Sequence, residues 1–266
     1  MTAGTEAGPA ADASPPSLAA VVFALAAADI RERYGRGSAR LAKWLLDPFA
    51  LVGVYLLLVT FVLSRPGRAP GLSLACAVVP FQLLMSSVIS SLGAVGRRKS
   101  IILNMRFRRE LIPVAAVLTE TIAFAASLLL LAVMMAGYGV APTLSILSLP
   151  LALAETVVLA LACSYPACLI GLWFPDLRNF VISFVRAVFF VAPGLVALHE
   201  IHGTTADVVR ANPLTGLFES YRDALVYGQA PAAWQLLYPL AFSAALLALF
   251  WPIFRSEQSQ FAKVVE

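Results

Sequence analysis

The sequence predicts an all-α membrane protein of six transmembrane helices with an N-terminal interfacial amphipathic helix, and three observations carry that expectation. Of 266 residues, 60% are hydrophobic and only 13% charged, with a mean hydropathy of +0.85, whereas a soluble domain averages about 25% charged. Apolar runs approach or exceed the roughly 20 residues that a helix needs to cross a bilayer. The 19 basic residues gather at the ends of those runs. They form no stripe with stacking aromatics, which argues for membrane sidedness and against a nucleic-acid surface. Cys76, Cys163 and Cys168 lie inside apolar runs without metal-ligand spacing and read as small buried hydrophobes.

Residues 1–16, rich in Ala, Gly, Thr and Pro, lack a basic n-region and are expected to be a disordered tail. Ser17 can cap a helix over 18–28, too short to span and suited to the interface. A polar continuation follows to Arg40, then Trp44 at headgroup level and Pro48 at a helix start. The first span is 49–63, extended backwards by 44–46. The second is 71–92 with a kink at Pro80, the third 111–136, the fourth 143–174 and the fifth 180–198. After the mixed stretch 199–233 the sixth span is 234–254. The chain thus divides into a tail (1–16), one transmembrane domain (17–254) and a C-terminal tail (255–266).

Between the second and third spans, 95–113 carries Arg97, Arg98, Lys99, Arg106, Arg108 and Arg109 around Ile101, Ile102, Leu103, Met105 and Phe107. A plain solvated loop would not hold those apolar residues, so a short amphipathic helix at the membrane surface or against a partner is expected. The alternative is a charged loop that only fixes topology. With six spans both termini share one side. Placing them in the cytoplasm puts fourteen basic residues inside and four outside (Arg65, Arg68, Arg210, Arg222), with Arg186 within the membrane.

Catalytic constellations are missing. No G-x-x-x-x-G-K-[ST] loop is present, so the chain has no P-loop route to ATP hydrolysis. His199-Glu-Ile-His202 spaces its histidines by three, where a zinc-protease helix needs four, and no metal site is assigned. Intramembrane charge marks function by default, which singles out Glu120, Glu155 and Arg186. Glu120 and Arg186 lie about 13 and 9 Å from the inner surface at 1.5 Å per residue, so they can meet as a pair. In the stretch after Asn212-Pro213, Leu214, Leu217, Phe218, Tyr221 and Leu225 share one helical face. Glu219, Arg222 and Asp223 fall mainly on the other, and Gly228 closes the pattern.

Three motifs then carry a resemblance. Asp29-Ile-Arg-Glu-Arg-Tyr34 with Leu41-Ala-Lys-Trp-Leu-Leu-Asp-Pro48 opens the first span, Phe107-Arg-Arg-Glu-Leu-Ile-Pro113 opens the third, and Asn212-Pro-Leu-Thr215 precedes the last. In this order they resemble ABC-2 type transporter permeases that export polysaccharides such as O-antigens, teichoic acids and galactans. The family often has S-P-[VI]-x-[YF] at the end of its fifth span, where this chain has Ala192-Pro-Gly-Leu195.

The resemblance implies a half-transporter in the bacterial inner membrane, both termini cytoplasmic. Two copies would work with two copies of a separate ATPase, which binds ATP and Mg, on a lipid-linked polysaccharide; the chain itself would carry no cofactor. Arg97, Arg98, Lys99, Ile102, Met105, Phe107 and Arg109 would dock on the ATPase. Short re-entrant outer helices before the last span would gate the exit through Asn212, Pro213, Phe218, Tyr221 and Arg222. Phe49, Tyr55, Phe184 and Phe189 can offer flat faces to sugar rings, or pack in the core. An ABC-2 permease for a small drug or lipid shares the fold. A membrane-embedded polyprenyl-lipid transferase would need acidic or histidine residues converging at one face, and these are scattered.

Overall fold

The computed structural model describes residues 17–34, 69–104, 108–258, 260 and 261, together with Leu46, Phe49, Ala50, Gly53, Val54 and Leu57, all six helical. The remainder of the expected first span with Tyr55, the 1–16 tail, Met105, Arg106 and Phe107 lie outside the described residues. Among the described residues the regular structure is all helical, and four helices are long and apolar enough to cross a membrane.

Helix α1 (Leu18–Tyr34) starts where Ser17 Oγ accepts a hydrogen bond from the Ala20 amide at 3.2 Å. This satisfies one of the orphan donors of the first turn. Helix α2 (Pro70–Leu92) is the axis of the bundle: Leu72, Ala75, Cys76, Ala77, Val78 and Val79 are fully buried. After the short helices α3 (Ala94–Arg97) and α4 (Lys99–Asn104) come α5 (Leu111–Gly137), a 3₁₀ turn (Leu144–Ser148) and α6 (Leu149–Trp173). Both α5 and α6 pack on α2. Val22 and Leu25 of α1 cluster with Ala115 of α5, and Ile101, Leu111, Val114 and Leu118 pack around them.

Close approach of α6 to the end of α2 rests on Gly171. A Cβ there would sit 1.9 Å from the Leu92 carbonyl oxygen, so no larger residue fits. Three buried hydroxyls are satisfied within their own helices. Thr119 donates to the Ala115 carbonyl at 2.9 Å, Thr156 to Ala152 at 2.7 Å and Ser164 to Ala160 at 2.7 Å, the usual answer where no water can reach.

The expected fifth span is cut short. Helix α7 (Arg178–Val191) has 14 residues, about 21 Å at 1.5 Å per residue, against a hydrocarbon core of about 30 Å. It stops because Ala192 precedes Pro193 and is extended, with ψ 158°, the conformation that a following proline ring enforces. The chain then folds back through a 3₁₀ turn (Leu198–Glu200), α8 (Thr204–Arg210), α9 (Pro213–Arg222) and a π-helical turn (Asp223–Tyr227). Gly228, at φ 69°, ends that hairpin in the left-handed conformation glycine tolerates. Helix α10 (Ala233–Glu257) closes the order against α6 and α9. Unlike α2 it is peripheral, with Leu237, Leu240, Leu249 and Trp251 exposed.

Candidate functional site

Direction along α2 separates the bundle into two ends. At one end, after Leu92, lie α3, α4, the start of α5 and the end of α10. At the other lie the start of α2, the α5–α6 turn and the α8–α9 hairpin. The Tyr138 hydroxyl accepts from the Gly71 amide at 3.1 Å, and Ser145 Oγ donates to the Ala224 carbonyl at 2.9 Å, fastening that second end together.

The basic end is more tightly built than a charged loop. Arg98 is buried: its guanidinium pairs with Asp29 of α1 and donates to the Ala94 carbonyl at 3.2 Å, while Nε has no partner among the described residues. Burial lowers its pKa, and the Asp29 carboxylate opposes that shift. Arg109 donates to the Gln258 carbonyl, holding the end of α10. Arg97 is exposed and donates to the Ser90 carbonyl at 2.7 Å.

Ile102, expected as an anchor for a partner, is instead part of a core cluster with Val95, Ile112, Tyr165, Phe254 and Phe261. It faces inward because Ile112 of α5, Tyr165 of α6 and Phe254 of α10 offer it an apolar seat. The apolar residue of α4 left exposed is Leu103, at 41%; Arg97, Lys99 and Arg108, near it in the chain, are exposed as well, with Arg108 paired to Glu110. The sequence pattern did not separate Leu103 from Ile102, since neighbouring residues of a single helical turn show no periodicity to tell inside from outside.

The expected Glu120–Arg186 pair does not form in this structure. Glu120 is buried and accepts a hydrogen bond from the Ser90 hydroxyl of α2, while Arg186 lies exposed on α7. Helix α7 packs mainly on α2 and α6, whereas Glu120 is carried by α5. Glu155 is buried on α6, and neither carboxylate oxygen has a hydrogen-bond partner among the described residues. Among the aromatics, Phe49 and Phe184 are exposed. Phe184 lines an apolar groove of about 660 Å³ between α2, α6, α7 and α10. Phe189 is core, its ring centroid 4.5 Å from Phe81 and 5.8 Å from Phe218.

At the hairpin end, Asn212 caps α9, its Oδ1 accepting from the Leu214 amide at 3.0 Å, with Pro213 in the first turn. Its amide also donates to the Val188 carbonyl at 3.0 Å. Leu214, Leu217, Phe218 and Tyr221 are buried in the protomer against α2, α6 and α10. That face is therefore not free to plug an opening, and the Tyr221 hydroxyl is already hydrogen-bonded to Thr156 at 2.9 Å.

On the opposite face Glu219 and Arg222 are buried too, and Asp223 is half-buried. Arg222 is fully enclosed and uses all three guanidinium nitrogens. It donates to Glu219 at 2.6 Å, to the Gly194 carbonyl at 3.1 Å and to the Ser73 carbonyl at 3.1 Å. Glu219 also accepts from the Leu198 amide at 3.1 Å. This cluster ties α9 to the start of α2 and to the turn after α7. Buried ions at such a place are tolerable because every charge is compensated and hydrogen-bonded.

No model of a known protein family matches the chain. It is 27% identical over 248 residues to the O-antigen export system permease protein RfbA of Myxococcus xanthus, covering 92% of this chain and 95% of the relative. Two permease proteins of the same description from Klebsiella pneumoniae are 25% and 24% identical, over 75% and 89% of this chain. The resemblance read from the three motifs thus extends along most of the sequence and is to O-antigen export permeases of the ABC-2 type.

Proposed function

We propose that this chain, a relative of ABC-2 type O-antigen export permeases, is the permease half of an ABC exporter that moves a lipid-linked polysaccharide out of the cytoplasm. A second copy and two ATPase subunits complete the machine, and ATP with Mg is bound by those subunits. The chain crosses the bacterial inner membrane six times with both termini cytoplasmic, the apolar run 44–63 supplying one crossing. Residues near the α7 turn supply another, while α8 and α9 dip into the outer half.

One observation supports this reading most: the chain's two ends are differently made. The basic end is cationic at its surface, the natural neighbour of a cytoplasmic partner. Leu103 with Arg97, Lys99 and Arg108 form the patch that takes the ATPase. Exposed charge steers and orients such an encounter, while the apolar side chain gives it strength. The hairpin end is fixed to the bundle by Arg222, so motion delivered at the basic end would be passed along α2 and would shift the hairpin as a unit. Deleting the gene should remove polysaccharide from the cell surface while lipid-linked chains accumulate inside, and a plasmid copy should restore display. Unchanged surface polysaccharide in the deletion strain would contradict the proposal.

A further inference from the structure

A cavity of about 510 Å³ opens at the hairpin end, between the turn that follows α7 and the π-helical turn after α9. That volume lies within the range of ordinary small-ligand sites. Its walls include His199, Arg210, Glu219, Asp223, Tyr227 and Gln229. It is separate from the apolar groove beside α7 and from the basic patch.

The lining narrows the chemistry of an occupant by exclusion. A metal ion finds no set of ligands: the Glu219 carboxylate is engaged by Arg222 and the Leu198 amide, and Asp223 accepts from Gln235 at 2.8 Å. Among the described residues no group of three His, Cys, Asp or Glu could hold one. An anion would meet two carboxylates and a single wall cation, Arg210, which is exposed and 4.0 Å from Asp207. A greasy ligand would strand the polar atoms of the wall without partners.

A neutral, hydroxyl-rich ring suits what remains. Carboxylate, amide, imidazole and phenol groups offer both donors and acceptors to hydroxyls in many directions. Tyr227 and His199 add two rings meeting edge to face, centroids 5.4 Å apart. The negative face of such a ring attracts the C–H groups on one side of a pyranose. The cavity is also held in shape. Gln235, itself buried, braces Asp223 from α10, and the Gln229 amide donates to the Asp223 carbonyl at 2.9 Å.

We infer that this cavity binds a neutral pyranose unit of the exported chain as it leaves, a site that rests on the polysaccharide reading above. Holding one sugar ring at the outer end would bias a polymer against sliding back while the ATPase resets.

Saturation-transfer NMR on the purified full chain in lipid nanodiscs tests the site, with glucose, galactose, mannose and rhamnose at millimolar concentration as probes and glucuronate as the anionic control. At least one neutral sugar should receive saturation and glucuronate should not. His199 and Gln229 are exposed, so His199→Ala with Gln229→Ala leaves the fold intact and should lower the signal by about tenfold. Tyr227→Phe keeps the ring and most of the signal, whereas Tyr227→Leu loses it. Absence of signal from all four neutral sugars, or a signal indifferent to the His199 and Gln229 changes, overturns the site. If the deletion strain loses surface polysaccharide while no sugar binds, the site fails and the export reading stands. If that strain keeps its polysaccharide, the export reading fails and takes the site's role with it.

Discussion

Two buried arginines mark the two ends of the bundle, and they are held in different ways. Arg222 at the hairpin end has a partner for each of its nitrogens and a carboxylate three residues away in the same helix. Arg98 at the basic end leaves Nε without one, and its carboxylate comes from Asp29, 69 residues earlier, on a helix packed at the edge of the bundle. From Ser73, which Arg222 holds, to Leu92, just before Arg98, α2 runs about 30 Å at 1.5 Å per residue. Arg222 is therefore pinned through every nitrogen, whereas Arg98 clasps α1 through one interhelical pair, its end of the bundle being held as well by Arg109 and the apolar cluster around Phe254. On the function proposed above, that asymmetry would let force received at one end move the hairpin at the other.

Breaking the pin should have the largest effect. Arg222→Met leaves the Glu219 carboxylate buried without its cation and takes a donor from the Gly194 and Ser73 carbonyls, a change that typically costs about 3–5 kcal/mol for a buried pair. We expect little folded, monodisperse protein on detergent size-exclusion chromatography. Arg222→Lys keeps the charge but cannot fork to three acceptors, and should lower the melting temperature without abolishing folding. A melting temperature unchanged in both variants would remove the pin from the account.

The clasp should be weaker. Asp29→Asn removes the charge facing Arg98, and a loss of about 1–3 kcal/mol follows from leaving one buried charged group undercompensated, with Asp29 itself partly reached by solvent at 15% exposure. Limited proteolysis should then cut near α1 before the bundle opens. Equal or greater destabilisation than in Arg222→Met would erase the asymmetry.

Smaller still is Tyr221→Phe. It deletes one hydroxyl whose partner, Thr156, keeps its bond to the Ala152 carbonyl, so about 1 kcal/mol or less is expected. A thermal shift assay reads it, and a collapse of the fold would mean that Tyr221 carries more than packing and one hydrogen bond.

Much of this architecture is legible in the sequence. The second, third and sixth spans were expected at 71–92, 111–136 and 234–254, and the helices occupy Pro70–Leu92, Leu111–Gly137 and Ala233–Glu257. Local chemistry made that possible: long apolar runs set the middles, while Ser17, Asn212 and Gly228 mark ends through hydrogen bonds and backbone angles that depend on near neighbours. The early stop of α7 was also written locally, in Ala192-Pro193, but the apolar run beyond it reads as span when hydropathy alone is followed.

What was hidden is what long-range contact decides. The pattern of α9 set Glu219 and Arg222 opposite the apolar face but left their partners unseen, because periodicity ranks residues by polarity and says nothing about an acceptor 149 residues away at Ser73. The same holds for Ile102 and Leu103, neighbours of one hydrophobic character, one sealed by Phe254 and Phe261 and the other open.

The central claim is that the basic end receives the ATPase while the hairpin end only responds. Pulldown of the ATPase subunit with the membrane-inserted chain tests it directly. Leu103→Asp combined with Arg97→Ser and Lys99→Ser alters exposed side chains and removes the Arg97 bond to the Ser90 carbonyl, should cost about 1–2 kcal/mol of stability, and should lower ATPase recovery at least about tenfold. Arg222→Lys, when folded, should recover the full amount. Full recovery with the triple variant, or loss confined to Arg222→Lys, would contradict the account.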